Sequence, residues 1–376
     1  MNAGNEGLML ALFITFCIAA ALQLFYYLWF YLGPFVSKRP VNEPTFKPVS
    51  VIICARNEAE NLRQFLPSVL EQDYPSFEVI VVNDCSEDGT DDVLGEMLLK
   101  YPNLRISSIT RDAKFTHSKK FAQFIGIKAA ENELLLFTDA DCRPESPKWI
   151  EMMASGFTEG TDFVLGYGGY LREKGLLNSY IRYDTSFIAM QYFGMALKGI
   201  PYMGVGRNLA WRKPVFFRNK GFGAHNHIAS GDDDLFVNTN ASPESTVVEF
   251  RTGSHTRSVA AATVEEWVKQ KQRHLTTARF YKVRDKILLI LEPLSRLSFF
   301  TLFIILLARL YFWPYLLGVF GLRLIVQSIT FFLAGKRLNE HGNILPSIIF
   351  DFFSPLINIS LYLSTFRNRA GKTTWK

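Results

Sequence analysis

The chain has 376 residues, 41 basic and 35 acidic, for a net charge of +6. That excess is too small to indicate nucleic-acid binding, and the length suits one sizeable domain with accessory segments. Many of the 33 phenylalanines lie in long apolar runs near the two ends, which indicates a membrane protein with a polar middle. Cys17, Cys54, Cys85 and Cys142 form no CxxC pair and have no histidine cluster beside them. A zinc site is therefore not expected, and the thiols read as reduced and mostly buried.

The first apolar run, 8–31, is almost uncharged and matches the ~20 residues a helix needs to cross a bilayer core. No basic start precedes it, whereas Lys38, Arg39 and Lys47 follow it. The positive-inside rule then puts the amino terminus outside and the next domain in the cytosol. Segment 1–34 is read as a transmembrane helix with an aromatic belt at Phe25, Tyr26, Tyr27, Trp29 and Phe30, and 35–48 as a proline-punctuated linker.

From 49 the texture changes to short apolar runs alternating with helical stretches. The pattern predicts strands over 49–54, 77–82, 104–109 and 134–137, and helices over 57–71, 88–100 and 119–130. This is the α/β pattern of a mostly parallel sheet with helices on both faces, whose ligand sits beyond the carboxyl ends of the strands.

After 286 the apolar texture returns. Segments 294–312 and 315–333 each suit a span, with Pro314 at the turn. Arg309 and Arg323 fall within or near them; a buried Arg costs roughly 2.5–3.5 kcal/mol on insertion scales, so each is expected to snorkel or to find a partner. A third stretch, 344–366, is interrupted by Pro346, Asp351 and Pro355 and leads to a basic tail with Arg367, Arg369, Lys372 and Lys376. Three full crossings would put that tail outside, against the positive-inside rule. The last segment is thus either re-entrant or interfacial, or a crossing with an atypical tail.

The chemistry-bearing residues fall at the strand ends. Asp139 and Asp141, alternate residues past a buried strand, can aim two carboxylates at one region. Such a pair leaves coordination positions open and suits Mg²⁺ or Mn²⁺ on a diphosphate. Asp84 sits at the tip of the second strand, where it can accept from a base or ribose, and Ala55, Arg56, Asn57 and Glu58 end the first strand in the same way. Asp88 is placed to cap a helix. Lys119 and Lys120 suit a phosphate or form a solvated pair. Asp232, Asp233 and Asp234 could supply a catalytic base for an acceptor hydroxyl, and clustering would raise the pKa of one of them. Ser230 and Gly231 also mark a helix amino terminus there, and both readings are compatible.

Gln270, Arg273 and His274 are spaced to share a helix face. Arg can meet a diphosphate and Gln can orient a hydroxyl. The surrounding basic residues Lys269, Lys271, Arg279, Lys282, Arg284 and Lys286 alternate with Val264, Trp267, Val268 and Leu275. Segment 258–286 therefore reads as a helix at an anionic membrane surface. There is no GxxxxGK loop, and Gly204-Val205-Gly206 lacks a third glycine at dinucleotide spacing, which disfavours a nicotinamide enzyme.

Taken in order, VSVIICARNEAENL, EVIVVNDCSEDGT, SKKFAQFIGI, FTDADC, MGVGRNLAWRK, SGDDDLFVN and QKQRH resemble the family 2 glycosyltransferases over roughly 48–284. The resemblance implies a GT-A nucleotide-sugar-binding domain over 49–286, flanked by transmembrane helices, with a membrane region over 287–376. It implies inverting transfer from a nucleotide-sugar, expected to be UDP-linked, in one displacement. Ala55, Arg56, Asn57, Glu58, Asp84, Lys119 and Asp139 would bind the donor, and Asp139 and Asp141 the Mg²⁺ or Mn²⁺. Asp233, beside Asp232, would be the base. Gln270 and Arg273 correspond to the family's Q/RxxRW motif, with Arg273 on the diphosphate or closing a gate. His274 stands where that motif has Trp, which weakens any analogy to processive synthases. One span before the domain and two or three after it are few for a polymer channel. The expected acceptor is a lipid or lipid-linked saccharide, reached from the cytosolic face of the inner membrane, with membrane lipids as partners. A processive polysaccharide synthase and a non-catalytic nucleotide-sugar-binding scaffold are the alternatives.

Overall fold

The computed structural model describes residues 3–36, 46–110, 118–225, 228, 230–342 and 344–367. Lys38 and Arg39 of the linker, and Arg369, Lys372 and Lys376 of the tail, lie outside the described residues.

Among the described residues, ten strands form two sheets. They are β1 (Val49–Ala55), β2 (Phe77–Asp84), β3 (Leu104–Ile109), β4 (Leu134–Asp139), β5 (Cys142–Pro144), β6 (Phe163–Leu165), β7 (Gly168–Tyr170), β8 (Leu209–Arg212), β9 (Thr246–Val248) and β10 (Thr256–Ser258). The larger sheet runs β3-β2-β1-β4-β8-β6-β9 and the smaller β5-β10-β7. β1 pairs in parallel with β2 and β4, and β2 with β3; β8 is antiparallel to both β4 and β6. The β1, β2 and β4 cores are buried on both faces, as strands covered by helices on either side must be.

Register aligns the carboxyl ends of the central strands. Cys54 pairs with Asp139 and Ala55 with Asn83, so the polar strand tips form one edge. Three predicted boundaries shift for local reasons. The first helix starts at Ala59 because Asn57 takes a positive φ of 54°. Asp88 remains outside the second helix and caps the first, its Oδ2 accepting from Ala59 N at 3.1 Å. The strands run on into Ala55, Asp84 and Asp139, so these residues end strands rather than follow them.

Four helices among the described residues are long and apolar enough to cross a membrane: Asn5–Tyr31, Val283–Ala308, Trp313–Arg337 and Ile344–Thr365. The first packs on the second, with Phe16 stacked on Phe299 at 5.1 Å. It also meets the α/β domain closely: a Cβ on Gly194, in the Leu176–Leu197 helix, would lie 2.0 Å from the Phe30 carbonyl oxygen.

The single helix expected over 258–286 is instead divided. Thr256–Ser258 is strand β10, Val264–Leu275 is a helix opened by a Thr263–Glu266 capping box, and a short turn follows at Ala278–Phe280. The break comes where the Thr276 hydroxyl bonds the Arg273 carbonyl and the Thr277 hydroxyl bonds buried Asp234. The next helix starts at Val283, not near 294, and continues through Pro293.

Two arginines within these apolar helices are paired with one carboxylate. Arg323 Nη2 lies 2.7 Å from Asp351 Oδ2, and Arg296 Nη1 lies 2.9 Å from Asp351 Oδ1. Gln23 bonds Ser295 and accepts from Arg323, which ties the first helix to the same polar layer. Asp351 therefore does not interrupt the last helix, which runs unbroken over Ile344–Arg367 and through Pro355. Both ends of that helix touch the same domain. Glu340, just before it, is bonded by Arg182 and Arg257, and Ser364 near its end accepts from Gln272 at 2.7 Å.

Candidate active site

The loops after β1 and β2 are stitched together. Asn57 N donates to Ser86 Oγ at 2.9 Å, Glu87 N donates to Asn57 Oδ1 at 2.8 Å, and Glu58 N donates to Thr90 Oγ1 at 3.1 Å. The left-handed conformations of Asn57 and Cys85 turn both chains at the strand tips. Asp84 is fully buried beside them. Ala55 is also fully buried and offers the cleft no surface.

β4 delivers Asp139 at its tip, and Asp141 follows after one residue. The carboxylates of both and Cys142 Sγ lie within 4.8 Å of one another. Ser258, from β10, donates to Asp141 Oδ2 at 2.8 Å. Burial, and next the neighbouring Asp139, raises the Asp141 pKa, while the Ser258 bond opposes them. Burial would also raise Asp139, but Lys119 overrides it and the pKa is lowered. Burial and then Asp141 push the Cys142 thiol well up, so it remains protonated and is a poor ligand. Two crowded carboxylate oxygens without a thiolate suit a hard cation with open positions, such as Mg²⁺ or Mn²⁺.

Lys119 joins this pair to the second acidic group. Its Nζ lies 2.7 Å from Asp139 Oδ1 and 3.6 Å from Asp232 Oδ2. The helix it opens is capped by Ser118, which accepts from Phe121 N. Lys120 does not face the cleft. It is buried and donates to the carbonyls of His225 and Ile228 at 2.7 and 3.0 Å, so it braces the chain rather than meeting a phosphate.

The three consecutive aspartates separate in space. Asp232 is buried against Lys119; burial raises its pKa, with Lys119 opposing and Asp233 adding. Asp233 caps the Asp234–Asn240 helix through Asp234 N, while its Oδ2 accepts from Gly206 N at 2.7 Å. It stays partly exposed beneath the loop around Gly206. A Cβ on Gly206 would come within 3.2 Å of Asp233 Oδ2, so glycine permits that close approach. Asp234 turns the other way and accepts from Thr277 and, at 2.6 Å, from Tyr281. Burial and then Asp233 push its pKa up to about 7.

The Val264–Leu275 helix fans out its residues. Gln270 donates to Tyr170 Oη at 3.2 Å, and Lys271 pairs with Asp184 at 2.5 Å. Arg273 lies near enough to Asp139 to help hold its pKa down. His274 keeps exposed surface, yet desolvation, followed by Arg273, Lys271, Arg207 and Lys119, pushes its pKa down to about 3, so it is neutral.

Three residues not singled out in the sequence complete the cleft: Tyr170, Ser258 and Arg207. The Arg207 guanidinium lies 4.1 Å from the Tyr170 ring centroid. Ser258 and Tyr170 end β10 and β7, which pair at that point. Their neighbourhood arises from the small sheet, for which no local spacing is a signal.

A mostly parallel α/β sheet with an acidic pair beyond its central strand is the arrangement of the GT-A fold. Residues 50–202 match the family model for Glycosyl transferase family 2. The glycosyltransferase AglE of Haloferax volcanii is 33% identical over 192 residues, covering 49% of this chain and 58% of AglE. An uncharacterized glycosyltransferase of Haemophilus influenzae is 30% identical over 145 residues, 37% of this chain and 42% of that protein. The chain thus spans under two thirds of the length of these two curated relatives. Among solved structures, the mannosyltransferase PcManGT of Pyrobaculum calidifontis, in complex with GDP-Man and Mn²⁺, has the same fold. Its TM-score is 0.61 at 16% identity, over 97% of this chain and 99% of that one.

Proposed function

We propose that the protein is a membrane-bound inverting glycosyltransferase that moves a sugar from a nucleotide-sugar to a hydroxyl of a lipid or lipid-linked acceptor. The observation that carries this reading is Lys119, which bonds Asp139 at 2.7 Å and approaches Asp232 at 3.6 Å. It joins the acidic pair suited to a diphosphate with the acidic cluster suited to an acceptor hydroxyl.

In this reading the loops carrying Arg56, Asn57, Glu58 and Asp84 hold the nucleotide, expected to be uridine. Asp139 and Asp141 hold Mg²⁺ or Mn²⁺, which supplies charge neutralisation to the departing diphosphate. Lys119 and Arg273 add positive charge on that side. Asp233 takes the proton of the acceptor hydroxyl as the new C–O bond forms and the bond to the diphosphate breaks, inverting the anomeric carbon. The two backbone N–H groups on Asp233 orient it while leaving it exposed toward the Gly206 loop. Gln270 acts through Tyr170.

The catalytic domain is cytosolic in this reading, with the amino terminus across the inner membrane. The helix Ile344–Arg367 lies along the membrane surface instead of crossing it. Its 24 residues measure about 36 Å, and contacts of Glu340 and Ser364 with one domain support both ends lying on the same side. That arrangement leaves the basic tail facing the cytosol, as the positive-inside rule requires.

Incubation of the protein and native membranes with labelled UDP- and GDP-sugars tests the reading. Transfer of single sugars to lipid is the expected result; a long polymer would refute the lipid acceptor. Asp233→Asn should lower turnover by about 10²–10⁴-fold, whereas equal loss confined to Asp232→Asn would move the base by one residue.

A further inference from the structure

We propose that Arg207 is a phosphate-binding residue, held beside the Asp139–Asp141 pair to take an oxyanion of a substrate phosphate. The inference rests on the transferase reading and gives a role to a residue within the MGVGRNLAWRK stretch.

Its backbone is locked. The Arg207 carbonyl accepts from Thr138 Oγ1 at 3.0 Å and from Thr256 Oγ1 at 2.9 Å, one from each sheet. The next residue, Asn208, is fully buried, accepts from Trp149 Nε1 at 3.0 Å and donates to the Tyr167 and Ser254 carbonyls. The preceding residue, Gly206, is tied to Asp233. The side chain lies along β7, where a Cβ on Gly168 would come within 2.9 Å of Arg207 Cβ. Tyr170 stacks on the guanidinium, and Gln270 in turn bonds the Tyr170 hydroxyl.

Against this fixed frame, the guanidinium is left without hydrogen bonds among the described residues. Arg207 Nη1 is buried and has no partner. A buried N–H of a cation with no acceptor is costly, and a frame this rigid does not relieve it by moving. Asp139 and Asp141 are close enough for their charges to act on Arg207, but neither accepts a hydrogen bond from it. Lys119, Arg207 and Arg273 stand against Asp139, Asp141, Asp232 and Asp233. A divalent cation on Asp139 and Asp141 would leave positive charge in excess beside an open N–H donor. A diphosphate supplies both the compensating charge and the oxygen acceptor, and a planar guanidinium is well matched to it.

The phosphate has two possible sources, the donor's diphosphate and a phosphate on the lipid acceptor. The full-length protein in detergent, loaded with Mn²⁺, is titrated with UDP, GDP, uridine and guanosine. In a second arm, phosphatidylcholine nanodiscs with or without a polyprenyl phosphate are used. Arg207→Gln should weaken nucleoside diphosphate binding by about tenfold or more, as loss of a charge-assisted bond implies, leave nucleoside binding unchanged, and be partly rescued in Arg207→Lys. Loss restricted to the polyprenyl phosphate arm assigns the same role to the acceptor side. Affinities within about twofold of native in both arms, with native thermal stability, would overturn the proposal. A native protein that binds neither nucleotide would instead sink the transferase reading beneath it.

Discussion

Glu340 Oε2 accepts from Arg182 Nη2 at 2.5 Å, joining the turn between the last two long helices to the α/β domain. The same carboxylate accepts from Arg257 and, at 3.0 Å, from Tyr167. Arg257 precedes Ser258, the residue that bonds Asp141, so the membrane region is braced against the strand that supports the acidic pair. Glu340→Ala would leave buried Arg182 without its carboxylate and Arg257 with Glu145 alone, at a cost of about 3–5 kcal/mol. Thermal unfolding in detergent should show a large fall in Tm, with Glu340→Gln intermediate; an unchanged Tm would show that the turn is not docked.

The metal is expected to be required. A chelator should abolish transfer and excess Mn²⁺ or Mg²⁺ restore it. Ser258→Ala removes the hydroxyl that orients Asp141 and should weaken Mn²⁺ binding by about 10–100-fold, the usual effect of an outer-shell partner. Titration of Mn²⁺ against activity and against tryptophan fluorescence reads this out, and metal-independent transfer would end the role of Asp139 and Asp141.

Asp234 should make stability depend on pH. Its folded pKa of about 7 lies above the usual unfolded value near ~3.9. The folded state therefore binds the proton more tightly. The stabilisation is complete below the unfolded pKa and is lost as pH rises to about 7. Tm measured from pH 5 to pH 8 should fall in the native protein through this group and flatten in Asp234→Asn. Parallel curves would mean that Asp234 is ionised throughout.

The orientation of the last helix can be read from tags. An epitope fused after Lys376 should be protected in intact cells, and one before Met1 should be accessible. Accessibility at both ends would mean that Ile344–Arg367 crosses the bilayer.

Much of the α/β domain was legible in the sequence because its signals are local. Runs such as 49–54 and 134–137 are apolar throughout, since strands buried on both faces must be, and the polar residues that follow mark their carboxyl ends. Asp139 and Asp141 could be read as a pair for the same reason, because alternate positions at a strand tip need no tertiary information. The long apolar runs likewise identified segments able to cross a bilayer.

Other features depend on contacts between distant segments. Asp232, Asp233 and Asp234 look equivalent in sequence, yet Lys119, Gly206 and Tyr281 draw them in three directions. Lys119 and Lys120 look like one basic pair, yet one faces the acidic cleft and the other braces two carbonyls. The last apolar segment was ambiguous because composition sets the length of a helix but not its direction. The sequence by itself determined the order of the first four strands, the acidic tips and the apolar runs, since each follows from burial pattern over a few neighbouring residues, but it did not mark β5 to β10. Only the tertiary structure decided which charge meets which, because ion pairing and desolvation depend on distance in space and not along the chain.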